Sequence, residues 1–285
     1  ERNRSDGKLA VQTGLGELLK QRIVTALILA PIVIAGIFLL SDLYFALFVG
    51  LFIVVGAWEF ADLCGLAPIH RVFYAGLMLP VLFGAYFLSS EMLLWIGFFW
   101  WCVAFVLVIS YPDGVKFWGN VWQRSCIGFL VLVPAWIGLI QLKTHEKSTF
   151  LILLLMFLIW GADVGAYFAG RAFGDRKLAP RVSPGKSWAG VYGGLGTAAV
   201  VALLAIWWEN EMLTGSQWVL FFFLCIFIVV VSVLGDLTES MFKRHRGVKD
   251  SSGLLPGHGG ILDRIDSLLA AGPVYALSLT LIGWK

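Results

Sequence analysis

The chain has 285 residues, of which 59% are hydrophobic and 14% charged, against roughly 25% charge in an ordinary soluble domain. With 15% aromatic residues and a mean hydropathy of +0.86, the composition excludes a soluble globular enzyme and predicts a membrane protein. The net charge of +3 is too small to argue for a nucleic-acid partner, so where the charges sit matters more than their sum.

In chain order, nine stretches free of Asp, Glu, Lys and Arg are candidates to cross ~30 Å of hydrocarbon. They are residues 23–41, 43–58, 72–90, 92–112, 125–142, 148–162, 187–208, 212–235 and 267–284. The second and sixth are short, but their helical pattern continues past Glu59 and Asp62 in one and past Asp163 to Gly170 in the other. Those acids then stand inside spans. Glu59 and Asp62, one turn apart near the inner face, are expected to snorkel to the interface. Four cysteines, Cys64, Cys102, Cys126 and Cys225, stand singly in apolar surroundings, which argues against a disulfide framework or a zinc site. No signal peptide is expected, because no short apolar segment with a cleavage-like site precedes the first span.

The expected fold is an all-α polytopic membrane protein of about nine transmembrane helices. Residues 1–22 form a cytoplasmic segment, 23–142 hold about five helices, and 148–285 hold about four helices with cytoplasmic loops 171–186 and 243–262. This topology puts 18 of the 21 Lys and Arg inside and leaves only Lys143, Lys147 and Lys285 outside, as the positive-inside rule requires. Loops before residue 150 are short and chemically ordinary. Residues 159–190 and 232–267 concentrate Gly, Asp, Ser, Lys and Pro, so a cytoplasm-facing polar cavity is expected in the C-terminal half.

The eighth span closes on Asp236, Glu239, Ser240 and Lys243, which fall at i, i+3, i+4 and i+7 on one helix face. Asp236 lies about seven residues above the first basic pair, roughly 10 Å into the membrane at ~1.5 Å per residue. A carboxylate at that depth needs a wet cavity and a cation. Asp263 and Asp266 share a face in the first turns of the ninth helix, after a Gly-rich stretch whose free backbone N–H groups suit phosphate oxygens. Acids beside an anion-binding helix start repel the anion unless a metal intervenes, so Asp236, Asp263 and Asp266 read as hard oxygen ligands for Mg²⁺. Asp163 sits at a depth similar to Asp236 among small residues that permit close helix contact, which makes it a fourth, weaker ligand candidate. The loop after it carries Arg171, Arg176, Lys177, Arg181 and Lys186. Its Ser183, Pro184, Gly185, Lys186, Ser187 run ends like a phosphate loop, but Pro180 replaces the first Gly of a Walker A motif.

Ser240 to Arg244, then Lys249 and Asp250, Pro256 to Gly260, and Asp263 to Asp266 together resemble the signature of the phosphatidate cytidylyltransferase (CDP-diacylglycerol synthase) family. The segments around Asp163 and Ser183 to Ser187 are similar to that family too, extending the resemblance across roughly 160–267; for 1–140 it rests on hydropathy. The family implies CTP + phosphatidic acid → CDP-diacylglycerol + pyrophosphate in the cytoplasmic membrane. It also implies dependence on Mg²⁺, with Mn²⁺ as an alternative, help from a monovalent cation such as K⁺, and a homodimer. Catalytic roles then fall to Asp236, Asp263, Asp266, Lys243 and Arg264. Substrate contacts fall to Ser183, Lys186, Ser187, Ser240, Arg244, Lys249, Asp250, His258, Gly259 and Gly260. Ala189 departs from the pattern, since many relatives carry an acid or amide two or three residues after the Lys–Ser/Thr pair.

The structural alternatives are specific. Asp263 and Asp266 could cap the ninth helix, Asp236 could pair with Lys243 and Asp163 with Arg171, and His258 could order the Gly turn. The functional rivals are a secondary transporter for an anionic or cation-coupled substrate, and a CTP-dependent lipid kinase or cytidylyltransferase acting on a polyprenyl or other lipid.

Overall fold

The computed structural model describes residues 21, 24–25, 27–209 and 215–284; the segment 1–20 and its expected cytoplasmic placement lie outside them. The helices are α1 (Leu27–Leu39), α2 (Asp42–Leu63), α3 (Pro68–Tyr86), α4 (Ser90–Ile109), α5 (Val121–Lys143), α6 (Ser148–Phe173), α7 (Trp188–Trp208), α8 (Gly215–Arg246) and α9 (Leu262–Leu281). Local chemistry sets several of these ends. Pro68 occupies the first turn of α3, where its missing N–H costs nothing. Asn120 and Gln123 form a reciprocal capping box at the start of α5. Gly65, at φ +80°, turns the chain after α2.

Seven helices, α2 to α7 and Gln217–Arg246 of α8, are long and apolar enough to cross a membrane. The chain is a multi-pass membrane protein. The described part of α1 is a shorter apolar helix. As expected, α2 runs on through Glu59 and Asp62, and α6 through Asp163. The ninth expected span differs in kind from the others. Its helix starts at Leu262, so Asp263, Arg264 and Asp266 lower its hydropathy, while Leu269 to Leu277 are buried without a break. It packs on α8, α5 and α4, so α9 is the core helix around which other spans gather.

The segment 171–186, expected as a cation-rich cytoplasmic loop, contains an antiparallel ribbon of β1 (Lys177–Ala179) and β2 (Ser183–Ser187), paired Lys177 to Ser187 and Ala179 to Ser183. Such a ribbon satisfies backbone groups among themselves. It delivers Ser187 straight to the start of α7, where its hydroxyl accepts from Gly190 N at 3.1 Å.

Small residues let α6 and α7 touch backbone to backbone. A Cβ added at Gly165 would lie 2.6 Å from the Gly193 carbonyl oxygen, and one at Gly193 would lie 2.4 Å from Ala169 Cβ. The polar contacts gather at the two ends of the bundle. At one end Asp62 binds Arg71 at 2.7 Å and Arg246 at 3.3 Å, and Arg124 donates to the Leu63 carbonyl at 3.0 Å. At the other, Lys143 donates to the Ile37 carbonyl at 2.7 Å and Lys147 pairs with Glu209.

Candidate active site

The site is built where α8 meets α9. A Cβ on Gly235 would stand 2.5 Å from the Asp266 carbonyl oxygen and 2.9 Å from Ala270 Cβ, so only glycine permits this approach. The next turn of α8 therefore sets Asp236 and Glu239 into electrostatic contact with Asp266. The polar face read from the helical spacing is present. Ser240 donates to Asp236 at 3.2 Å and Lys243 to Glu239 at 2.9 Å. A small cavity beneath it is lined by Phe60, Trp101, Glu239 and Asp266 among others.

Cations come from two sides. Lys186, on β2, pairs with Asp236 at 2.6 Å. Lys243 spans Glu239 at 2.9 Å and Asp263 at 2.6 Å. The expected alternatives of Asp236 with Lys243 and Asp163 with Arg171 are not the pairs formed; Arg171 donates to the Tyr167 hydroxyl instead, at 3.4 Å. The Asp163 carboxyl group lies in the field of Lys186, Asp236 and Arg264, so α6 does reach the same site. Arg264 itself is exposed.

Asp263 is fully engaged within the protein. One oxygen faces Lys243, and the other accepts from Ser251 N at 2.9 Å, Ser251 Oγ at 2.9 Å and Gly260 N at 2.8 Å. Asp266 accepts from Ser267 N at 2.6 Å. Gly259, at φ +82°, and Gly260 bring the loop against these acids. A Cβ on Gly259 would lie 2.7 Å from Asp263 Oδ2, and one on Gly260 would lie 2.0 Å from Ser251 Oγ. His258 donates its backbone N–H to the Leu255 carbonyl at 2.9 Å, closing the Gly turn, while its ring Nδ1 is buried without a partner. Arg244 reaches the Val182 carbonyl at 3.2 Å and so ties the ribbon to α8. Lys249 and Asp250 are exposed, Ser183 is half-buried at the head of β2, and Ser187 is the α7 cap described above. Among the described residues, no three His, Cys, Asp or Glu side chains stand together as a ready metal cage; Lys186 pairs with Asp236, and Lys243 is shared by Glu239 and Asp263.

Glu59 is the residue that the sequence reading placed wrongly. It does not snorkel. It is fully buried, and its carboxylate accepts from Ser252 Oγ at 2.6 Å, Ser251 Oγ at 3.2 Å, Ile261 N at 3.0 Å and Leu262 N at 2.6 Å. One signal was available. The start of α9 has no Ser, Thr, Asp or Asn at its N-cap, so its free amides need an acceptor from elsewhere in the chain.

Comparison with known proteins fits this architecture. The model of the Cytidylyltransferase family matches residues 20–282. The chain belongs to this family. Three phosphatidate cytidylyltransferases resemble it along nearly their whole length. That of Pseudomonas aeruginosa is 50% identical over 94% of this chain and 99% of its own. The Haemophilus influenzae protein is 44% identical over 91% and 98%, and the Bacillus subtilis protein 32% identical over 92% and 98%. This cytidylyltransferase-family chain is therefore a nucleotidyltransferase, and the match extends through the N-terminal helices that hydropathy alone had linked to the family.

Proposed function

We propose that the chain is a phosphatidate cytidylyltransferase, joining CTP and phosphatidic acid to give CDP-diacylglycerol and pyrophosphate. The observation that carries the reading is the meeting of α8 and α9 at Gly235, which sets Asp236 and Glu239 against Asp266 with Lys186 and Lys243 opposite. A phosphate monoester with a second pKa of about 6 is largely dianionic at neutral pH and needs no strong general base. Its oxygen attacks the α-phosphorus of CTP in line as pyrophosphate leaves, so the protein's work is positioning and neutralising charge. Lys186 and Lys243 supply cations from within the site, and Arg264, Arg244 and Lys249 supply them at its exposed mouth. Asp163 orients Lys186 and Arg264 by its field.

The donor set fits Mg²⁺, which binds through one or two carboxylates together with substrate phosphates. Asp236 and Asp266 would hold it, with Asp263, whose Oδ1 faces Lys243, as a further candidate ligand. When bound, the ion neutralises charge on the triphosphate oxygens. The proposal includes help from K⁺, a homodimer, and an inner-membrane placement with the site facing the cytoplasm.

Purified protein given labelled CTP, phosphatidate and Mg²⁺ tests the reading. CDP-diacylglycerol and pyrophosphate are expected. Absence of a CDP-lipid with every lipid tried overturns it; lipid phosphate plus CDP assigns a kinase, and uptake without nucleotide turnover assigns a transporter.

A further inference from the structure

The start of α9 carries Asp263 and Asp266 but does not cap itself. Its N-cap position is Ile261, which offers no side-chain acceptor. Two of its leading amides, Ile261 N and Leu262 N, donate to Glu59 on α2, some two hundred residues earlier in the chain. The same carboxylate receives Ser251 and Ser252 from the loop between α8 and α9. The Ser251 hydroxyl lies between Glu59, at 3.2 Å, and Asp263, at 2.9 Å, and its single proton serves both. Gly260 is packed so tightly on this arrangement that a Cβ would meet Glu59 Oε1 at 2.6 Å. Four donors thus converge on one fully buried carboxylate, charge-assisted bonds of the stronger kind, at the positive end of the helix dipole.

We propose that Glu59 is a positioning residue for the reaction. It clamps the α8–α9 loop to the N-terminal helices and fixes the rotation and height of the first turn of α9, and with it the place of Asp263 and Asp266. It touches no substrate. The inference rests on the function proposed above, since it assigns Glu59 to the geometry of that site, and it gives the N-terminal half of the chain a part in the chemistry.

Glu59→Gln keeps the shape but turns an NH₂ group toward N–H and O–H donors, so at least one bond is replaced by repulsion between donors. Glu59→Asp keeps both acceptor oxygens one methylene short. Two readouts on the full chain in detergent test the clamp: hydrogen exchange over residues 259–266 against residues 131–139 of α5, and kcat and KM for CTP. For E59Q the expected results are at least tenfold faster exchange over 259–266 with α5 unchanged, and a kcat at least tenfold lower with KM changed less than threefold. E59D should recover part of both. Wild-type exchange over 259–266 in E59Q, or a wild-type kcat, overturns the proposal, as does exchange that quickens equally in α5, which would make Glu59 a general stabiliser. If E59Q does not fold, Ser252→Ala removes a single donor; a threefold or greater loss of kcat with local quickening supports the clamp, and no change in either overturns it. Exchange does not depend on turnover, so a wild-type chain that forms no CDP-lipid discards the function and leaves the clamp to be judged by exchange.

Discussion

The Lys243 ammonium stands 2.9 Å from Glu239 and 2.6 Å from Asp263, with 10% of its side chain exposed and 5% of each partner's. Removing one member of a buried ion pair strands the other's charge at a cost of about 3–5 kcal/mol. Lys186 and Asp236, by contrast, are 26% and 29% exposed, and a pair so placed contributes about 1 kcal/mol or less after solvent screening. Lys243→Met should therefore lower the thermal unfolding midpoint in detergent by roughly 5–10 °C, whereas Lys186→Met should move it little. Both should lose at least tenfold in kcat, since each removes a cation from the proposed site of cytidylyl transfer. An equal loss of stability in the two variants, or a normal rate in Lys186→Met, contradicts this division. At this scale the sequence was informative within one helix and silent across the chain. Spacing alone put Ser240 and Lys243 on the face of Asp236. Nothing in it could pair Lys186 with Asp236, or bring Glu59 to Leu262, because those contacts depend on helix packing.

Two helix pairs carry the architecture, and glycine sets the distance in each. Along α6 and α7, Gly165 and Gly193 allow carbonyl-to-Cα packing that any side chain would block. Between α8 and α9 the close point is Gly235, and it lies one residue before Asp236. A methyl there would be 2.5 Å from the Asp266 carbonyl oxygen and 3.2 Å from Ser267 Cα, so Gly235→Ala must push the two helices apart. Displacements of about 1 Å can cost a hundredfold in rate. Gly235→Ala should retain the far-ultraviolet signal of a helical protein and lose at least tenfold in kcat; undiminished turnover would mean that the α8–α9 distance does not govern the site. The helices themselves were legible because apolar runs of membrane-spanning length are a strong signal, including the extension of α2 and α6 past their acids. The β1–β2 ribbon was not, since Lys177–Ala179 has only three residues and Ser183–Ser187 is polar and contains Pro184 and Gly185. The interior character of α9 was also hidden. Hydropathy measures apolarity, and cannot tell a helix that lipid surrounds from one that protein surrounds.

The molecule as a whole is polarised. Arg71, Arg124 and Arg246 gather at the end where α2 finishes and α8 finishes, with the site's Lys243 in the same last turn of α8 as Arg246. The opposite end holds Lys143 and Lys147, one on a backbone carbonyl and one on Glu209. Under the positive-inside rule the proposed topology expects the arginine-rich end on the cytoplasmic side, which is also where the proposed reaction with CTP requires the site to open. Cysteine labelling decides this directly. Cys64 and Cys225 are buried, while Cys102 and Cys126 are exposed on the isolated protein and should first be replaced by Ala to remove background. In that background a membrane-impermeant maleimide added to intact cells should label His145→Cys, between α5 and α6, and should spare Lys249→Cys, between α8 and α9, until the membrane is opened. The reverse pattern would put the carboxylates and their lysines on the outer face, away from any nucleotide supply, and no arrangement of Asp236, Asp266 and Lys186 could then serve the reaction proposed for this site.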